Sequence, residues 1–237
     1  GRLQQLAHPE EILNVGIGLM HSVAWMPRLL PLFHEHYPDV SVRLIEQGDE
    51  LLLKALQSND ADIIIGGMPV STQDVTVTLA LEQLLLIVPR AFNIIPSWAY
   101  TGNSYENPYE IDPKQLQGLP LILPSTVNDI GGITNQVLEH FDIRPKFVTT
   151  VDSMQTAAML VAQDMGYLFT SPIFLKAQMA ELAPNIVYCM ARGIPDSRKI
   201  VAVYHSDTYK GEMISQFLKL LRVVMFKDQP GMFPLDG

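Results

Sequence analysis

The hydrophobic positions in the first third of the chain switch between the period of a strand and the period of a helix. The first apolar run is long enough for a buried strand and too short for a free-standing helix, and the apolar residues after it recur at helical spacing. Alternation of apolar and polar residues then predicts a second strand, and a further helix, which Asp49 can cap, precedes a third. This order predicts a βαβαβ unit with a parallel sheet. In chain order, the predicted elements are a strand at 12–18, a helix at 23–37, a strand at 40–46, a helix from Asp49 and a strand at 62–67.

The remainder of the chain predicts a second group of strands and helices. Two apolar runs separated near Glu82 predict two strands, and the turn-rich, aromatic stretch 97–113 predicts a loop. That loop either closes over a cleft as a lid or packs against its own subdomain. The other predicted elements are strands at 119–125, 146–150, 167–170, 186–190 and 200–206, a helix bearing Ile133, Val137 and Phe141, a helix whose buried face runs from Met154 to Met165, a short helix at 174–182 and a C-terminal helix at 209–226.

Five segments of this pattern stand out by their order and spacing: Leu13–Gly18, Met26–Phe33, Tyr37–Val40, Glu50–Leu52 and Asp60–Gly66. Together they resemble the start of the effector-binding domain of LysR-type transcriptional regulators. Two later segments, 151–153 and 166–169, are similar to that family's second-subdomain helix and the strand after it. The resemblance extends over about residues 11–226.

The resemblance implies an α/β fold with two Rossmann-like subdomains, joined by two crossover strands and similar to type 2 periplasmic binding proteins. The cleft between the subdomains would hold the ligand. The implied divisions are subdomain I at 11–85 plus 207–228, subdomain II at 86–206, a linker remnant at 1–10 and a tail at 229–237.

The resemblance also implies a function. A small-molecule effector would bind in the cleft of a bacterial transcription regulator and alter the dimer that carries the DNA-binding heads. The family's winged helix-turn-helix is not visible in this sequence, so we expect DNA to be a partner only through that missing domain. Homodimers, and tetramers of the full-length protein, are expected. A periplasmic solute-binding protein of a transporter shares the architecture and is the alternative.

The implied dimer is side by side and antiparallel. The first helix, 23–37, and the strand at 40–46 of one copy would lie against the helix at 133–141 of the other. In this sequence Trp25 and Leu32 lie off the apolar stripe of the first helix. They predict a second buried face, which belongs either to such an interface or to the rim of the same subdomain.

Composition and charge limit the classes of binding partner and the cellular location that we expect for this chain. The 237 residues include 16 Lys and Arg against 25 Asp and Glu, a formal net charge of -9, whereas a duplex DNA partner usually selects a basic face. The single cysteine, Cys189, cannot form an internal disulfide, so we expect a buried thiol and a cytoplasmic protein. No apolar run approaches the ~18 residues of a membrane span, and no signal peptide is visible in residues 1–10.

The sequence shows no strong motif for catalysis or cofactor binding. After Gly16 and Gly18, His21 stands where a dinucleotide-binding loop needs its third glycine. His34 and His36 would point to different faces of a helix, and no two carboxylates stand out as an acid and a base. We therefore predict no enzymatic activity, no cofactor and no metal site.

Small polar residues at predicted strand ends and helix starts form the candidate ligand site. In parallel sheets, ligands bind beyond the carboxyl ends of the strands, and the free N–H groups of a helix start favour an anion. Taken singly, Ser22 can be only an N-cap and His21 a solvated loop residue. Because the family places its effector cleft at such junctions, we predict that they act together. The predicted site residues are Met20, His21, Ser22, Gly67, Met68, Ser125, Thr126, Asn128, Ser153 and Thr170.

The charge of the effector stays open at this point. No Lys or Arg occupies these junctions, although some family members keep a cationic side chain near a carboxylate ligand. A small organic acid could be held by helix N-termini alone. A weakly charged or partly apolar effector that contacts Met20 and Met68 is the other option.

Overall fold

The chain folds into two compact units, which are visible in the computed structural model over its described residues, 12–68, 73–125 and 129–235. Of these residues, unit 1 contains those up to Leu81, Lys199–Gln229 and those from Pro234, and unit 2 contains Glu82–Arg198 and Pro230–Phe233.

The helices and strands follow one another in mixed order. They are β1 (Ile12–Ile17), α1 (Leu19–His36), β2 (Ser41–Glu46), α2 (Asp49–Gln57), β3 (Ile63–Gly66), β4 (Val75–Gln83), β5 (Leu85–Pro89), β6 (Tyr109–Ile111), β7 (Leu121–Pro124), α3 (Asp129–His140), β8 (Val148–Val151), α4 (Met154–Ala162), β9 (Leu168–Thr170), α5 (Pro172–Leu175), α6 (Met179–Leu182), β10 (Ile186–Ala191), β11 (Ser197–Tyr204), α7 (Gly211–Phe226) and β12 (Met232–Phe233). Short 3-10 turns occur at Arg90–Phe92, Ser97–Tyr100, Pro113–Leu116 and Lys176–Gln178.

The predicted βαβαβ unit is confirmed in unit 1. β1 pairs in parallel with β2 on one side and with β3 on the other, which places Ile17 beside both Glu46 and Ile65. α2 packs closely on this sheet because position 16 is a glycine: a Cβ there would lie 2.8 Å from Cγ2 of Ile64 and 2.9 Å from Cδ2 of Leu52. On α1, the ring of Phe33 meets the ring of Phe217 of α7 edge to face, with centroids 5.5 Å apart.

The first helix begins earlier than predicted. α1 starts at Leu19 instead of Val23, and its N-cap is Gly18, which has no side chain to make a capping hydrogen bond. His21 and Ser22 therefore lie in the first turn, where both are buried. Because of this position, the interpretations of Ser22 as the N-cap and of His21 as a solvated loop residue are wrong. Similarly, Gly48 and not Asp49 is the N-cap of α2.

Trp25 belongs to the core of its own unit. It is fully buried, and the ring of His21 stacks on it with centroids 4.6 Å apart. Of the two predicted origins for a second buried face on the first helix, packing within the same subdomain therefore applies to Trp25. Its predicted use in a dimer interface is wrong.

The two crossover strands are β4 and β11. They are neighbours in a six-stranded sheet with the order β12-β4-β11-β3-β1-β2. β4 continues through Glu82, so the predicted break at this residue is wrong. The carboxylate of Glu82 is buried and paired with Arg198 of β11, which lets a charged residue lie inside the strand.

Unit 2 contains a four-stranded mixed sheet with the order β6-β10-β5-β9 and a parallel pair, β7-β8. A parallel bridge from Leu121 to Tyr167 joins the pair to the strand that leads into β9. α3 begins at Asp129, before the predicted Ile133. The predicted helix at 174–182 is divided into α5 and α6 by a 3-10 turn. Met165, predicted on the buried face of α4, lies beyond its end and is 37% exposed.

The stretch 97–113 is held on its own unit. The side chain of Asn103 donates to the carbonyl of Tyr188 at 2.9 Å and accepts from its N–H at 2.8 Å. Within the same stretch, β6 pairs in parallel with β10. These contacts favour packing over the lid, the other predicted outcome for this loop.

None of the helices in the described part of the chain is long and apolar enough to cross a membrane.

Candidate functional site

The carboxyl ends of β1 and β3 lie together at one edge of unit 1. The pairing of Ile17 with Ile65 brings Gly18 and the start of α1 beside Gly66. No side chain caps α1, and its first turn contains no acidic residue. An uncapped N-terminus of an 18-residue helix offers N–H groups and the positive end of the helix dipole, so this edge favours an anion.

Five residues define the unit 1 cluster: Gly18, Met20, His21, Ser22 and Gly67. His21 and Ser22 are 4% and 3% exposed, whereas Met20 and Gly67 are half-buried. The predicted site residue Met68 is 3% exposed and packs in the apolar core around Leu52 and Leu56, so its side chain does not join this cluster. The unit 1 cluster consequently presents main-chain groups more than side chains.

A second edge lies in unit 2. Pro124 pairs with Val151, and the N–H of Ser125 donates to the carbonyl of Val151 at 2.8 Å. Leu121 of β7 forms a parallel bridge with Tyr167, the residue before β9, so β9 runs in the same direction as β7 and ends at the same edge. The residues gathered there form the unit 2 cluster: Ser125, Ser153, Thr170 and Ser171. The predicted site residues Thr126 and Asn128 lie outside the described residues.

Two members of the unit 2 cluster have structural roles. The hydroxyl of Ser153 accepts from the N–H of Thr156 at 3.2 Å and caps α4. Thr170 is 1% exposed and lines a narrow apolar pocket beneath α3, together with Ile130 and Ile133. The hydroxyl of Ser153 is therefore engaged by α4, and that of Thr170 donates to the carbonyl of Ser171 at 3.5 Å.

The hydroxyl groups of the other two members make no hydrogen bond to a described residue. Oγ of Ser125 and Oγ of Ser171 are both buried and have no hydrogen-bond partner among the described residues. A buried polar group without a partner costs about 1–3 kcal/mol, so such groups need an explanation such as a ligand. The sequence directed attention to Thr170 because it ends a strand, but alternation along the strand gives its neighbour Ser171 a different environment.

The start of α3 is fixed against this edge by Gly131. A Cβ at this position would lie 2.2 Å from the carbonyl oxygen of Pro124 and 3.0 Å from that of Ser125. Only glycine allows the helix to approach the end of β7 so closely. The contact sets the position of Ser125.

The thiol of Cys189 lies in the core of unit 2. It is fully buried, and burial raises its pKa to about 12, so the group stays protonated and inaccessible. Within residues 12–68, 73–125 and 129–235, no three His, Cys, Asp or Glu side chains are grouped so that they could hold a metal ion.

Three ionic pairs outside the two clusters were not predicted. Glu82 pairs with Arg198, Asp74 with His205 at 2.7 Å, and Asp62 with Lys210 at 2.8 Å. The partners are more than 100 residues apart in every case. No local pattern in a sequence could have connected them.

Comparison with known proteins identifies a family. The model of the LysR substrate binding domain matches residues 7–225. A probable RuBisCO transcriptional regulator of Porphyra purpurea is 26% identical over 213 residues, which cover 86% of this chain and 63% of that protein. The RuBisCO operon transcriptional regulator of Acidithiobacillus ferrooxidans is 24% identical over 197 residues, 83% of this chain and 60% of that protein. The chain thus spans less than two thirds of the length of these curated relatives.

Solved structures share the fold. The regulatory domain of MetR, a LysR family regulator from N. meningitidis, superposes with a TM-score of 0.73 at 16% identity, covering 95% of this chain and 100% of that one. The regulatory domain of Synechocystis CcmR in complex with 2-PG gives a TM-score of 0.73 at 17% identity, covering 92% of this chain and 98% of that one. At these identities the similarity shows the fold alone.

Proposed function

The chain belongs to the LysR substrate-binding domain family, and we propose that it is the effector-sensing domain of a LysR-type transcription regulator. In this proposal, the subdomains are those at 11–85 with 207–228 and at 86–206, and the unit 1 and unit 2 clusters each offer hydrogen-bond donors to a small molecule. DNA binding belongs to a domain outside this sequence. Neither the family match nor the names of the relatives support a periplasmic solute-binding protein.

The main support for the proposal is that the hydroxyls of Ser125 and Ser171 are buried and make no hydrogen bond to a described residue. Both groups can donate and accept, and both lie at carboxyl ends of strands, where ligands bind in sheets of this kind. A ligand that accepts hydrogen bonds there would remove the free-energy cost of two buried, unpartnered groups.

The effector class follows from the donors that the two clusters provide. The uncapped start of α1 and the serine hydroxyls suit a small anion, while no Lys or Arg is present at the predicted junctions. A CcmR regulatory domain of this fold binds 2-PG, and the curated relatives are named as regulators of RuBisCO. We therefore assign a small organic acid or its phosphate ester as the effector class, with 2-PG as the first probe.

Calorimetric titration of 2-PG into the protein tests this assignment. We expect binding that weakens about tenfold in Ser171→Ala, since a hydrogen bond to a charged group contributes about 1.5–3 kcal/mol. Ser97→Ala removes an exposed hydroxyl from the same unit and should leave the affinity unchanged. Equal affinities for all three proteins would contradict the assigned site.

A homodimer is the second part of the proposal. On unit 1, α1 exposes Leu19 and Val23, and β2 is an edge strand of its sheet. On unit 2, Phe147 and Val148 are exposed at β8, which pairs only with β7 in the described residues. Exposed apolar groups and open strand edges are surfaces that proteins usually cover. A two-fold axis would let each unit of one copy cover the other unit of its partner.

Sedimentation of matched valine variants tests the dimer. Val23 on α1 and Val223 on α7 are similarly exposed, at 57% and 63%. We expect Val23→Glu to shift the protein toward monomer, because an unpaired carboxylate buried in an interface costs several kcal/mol. Val223→Glu should not change the oligomeric state. The same state for both variants would count against this interface.

A further inference from the structure

Two ionic pairs join the two crossover strands or the residues that directly flank them. In unit 2, Glu82 of β4 pairs with Arg198 of β11. In unit 1, Asp74, which precedes β4, pairs with His205, which follows β11. The start of one strand therefore meets the end of the other, and the pairs close both ends of the β4–β11 ladder.

The ring of His205 lies between two acceptors. Its Nδ1 is 2.7 Å from a carboxylate oxygen of Asp74, and its Nε2 is 2.9 Å from the carbonyl oxygen of Leu56. A neutral imidazole has a single N–H, so it can donate only one of these hydrogen bonds. The imidazolium form donates both. The geometry therefore selects the charged ring.

The surroundings of His205 favour its charge. Leu56 lies near the C-terminus of α2, where the helix dipole attracts a cation. The pKa of His205 is raised by the hydrogen bond to the Leu56 carbonyl, then by the bond to Asp74 and by the charges of Asp74 and Asp207, against an opposing effect of desolvation.

His205 and Asp207 line a pocket of unit 1 together with three other charged residues. Lys210 and Asp62 compensate each other in an ion pair at 2.8 Å, and Arg43 is exposed. The acidic groups that face His205 directly are therefore those of Asp74 and Asp207, and the positive charge of the buried lysine is already neutralised.

We propose that Asp74 and His205 form a proton-controlled clamp that ties the start of β4 to the end of β11 and to the C-terminal turn of α2. Protonated His205 makes both bonds, and deprotonation forfeits one of them. The Glu82–Arg198 pair, which contains no histidine, closes the other end of the ladder. This device goes beyond the proposed function, since it requires no effector.

The pH window follows from the direction of the shift. Because the pKa of His205 is raised by folding, the clamp contributes its full stability below the ordinary histidine value of about 6.5. The contribution is lost as the pH rises through the raised value. Unit 1 is therefore held more firmly in mildly acidic than in alkaline solution.

Histidine ring NMR on the wild-type chain tests the charge state without any substitution. We expect both ring nitrogens of His205 to be protonated at about pH 6.5, and its titration midpoint to lie above that of a free histidine. Asp74→Asn should lower the midpoint. Asp207→Asn, which removes a nearby carboxylate without a hydrogen bond to the ring, should lower it less. A neutral ring at that pH, or equal effects of the two variants, would overturn the clamp.

Urea unfolding at two pH values tests the contribution of the Asp74–His205 clamp to the stability of the protein. We expect the midpoint of His205→Gln to lie below that of the wild type at about pH 6 and to approach it at about pH 8.5. Arg198→Gln, the control at the other end of the ladder, should show the same difference at both pH values. A His205→Gln difference that does not depend on pH would overturn the proposal.

Discussion

The unit 1 and unit 2 clusters lie at equivalent strand ends but offer different chemistry. In unit 1, His21 and Ser22 are packed into the first turn of α1, and the ring of His21 is stacked on Trp25. In unit 2, the hydroxyls of Ser125 and Ser171 are buried, and no described residue offers either of them a hydrogen bond. One cluster therefore contributes the main chain of a helix start, and the other contributes side-chain groups.

Because of this difference, we expect substitutions in unit 1 to affect mainly the stability of the fold, and substitutions of the two serines in unit 2 to affect ligand binding. The side chains of the unit 1 cluster hold the fold, so their removal should destabilise the protein. In the unit 2 cluster, the hydroxyls of Ser125 and Ser171 are a cost to the fold until a ligand binds them, so their removal should stabilise the protein and weaken binding. Substitutions of His21 in unit 1 and of Ser171 in unit 2 should therefore have effects of opposite sign on the free energy of unfolding.

The largest effect is expected at the glycine that fixes the start of α3. Gly131→Ala places a Cβ 2.2 Å from the carbonyl oxygen of Pro124, and overpacking against the backbone should cost about 3 kcal/mol in urea unfolding. Gly132→Ala meets open space and should stabilise the helix by about 0.5 kcal/mol. In unit 1, Gly18 is the N-cap of α1, and a Cβ there meets only Nδ1 of His21 at 3.6 Å, so Gly18→Ala should cost no more than the exchange of a glycine for an alanine N-cap, about 0.5–1 kcal/mol. Similar losses for Gly131→Ala and Gly132→Ala would refute the close approach.

A smaller loss is expected for the stacked histidine of unit 1. His21→Ala removes a buried ring and its contact with Trp25, which should lower the free energy of unfolding by about 2 kcal/mol. His34→Ala, an exposed histidine on the same helix, provides the matched control and should change it by less than about 0.5 kcal/mol. Thermal or urea unfolding measures both. Indistinguishable variants would mean that the unit 1 cluster is not packed as described.

The smallest effect, with the opposite sign, is expected for the unpartnered hydroxyl of unit 2. Ser171 precedes α5, but its side chain makes no capping hydrogen bond, so the usual loss on replacing a capping serine does not apply. Without effector, Ser171→Ala should raise the free energy of unfolding by about 1 kcal/mol. Ser97→Ala should leave it within about 0.5 kcal/mol. A clear loss of stability in Ser171→Ala would show that its hydroxyl is already satisfied.

Hydrophobic periodicity predicted the order of strands and helices in unit 1, because the apolar face of each element must be buried. It did not predict the start of α1. A glycine N-cap lacks the side-chain signal of serine or aspartate, and the first turn, Leu19–Ser22, has no apolar stripe of its own.

The candidate site was harder to predict than the fold because its chemistry depends on partners distant in the sequence. Which of the hydroxyls of Thr170 and Ser171 lacks a hydrogen-bond partner among the described residues depends on the register of β9, which no local pattern determines. The charge of Glu82 suggested a break in a strand, whereas Arg198, 116 residues later, keeps the strand continuous. The pairing of a buried charge with a residue so distant in the sequence becomes visible only in the folded structure.

Unfolding measured with and without saturating 2-PG tests whether the buried serines of unit 2 bind an anionic effector. We expect 2-PG to stabilise the wild type and Ser97→Ala equally and to stabilise Ser171→Ala much less, although that variant is the more stable protein without ligand. Equal stabilisation of Ser171→Ala and the wild type by 2-PG, or stabilisation of neither, would contradict it.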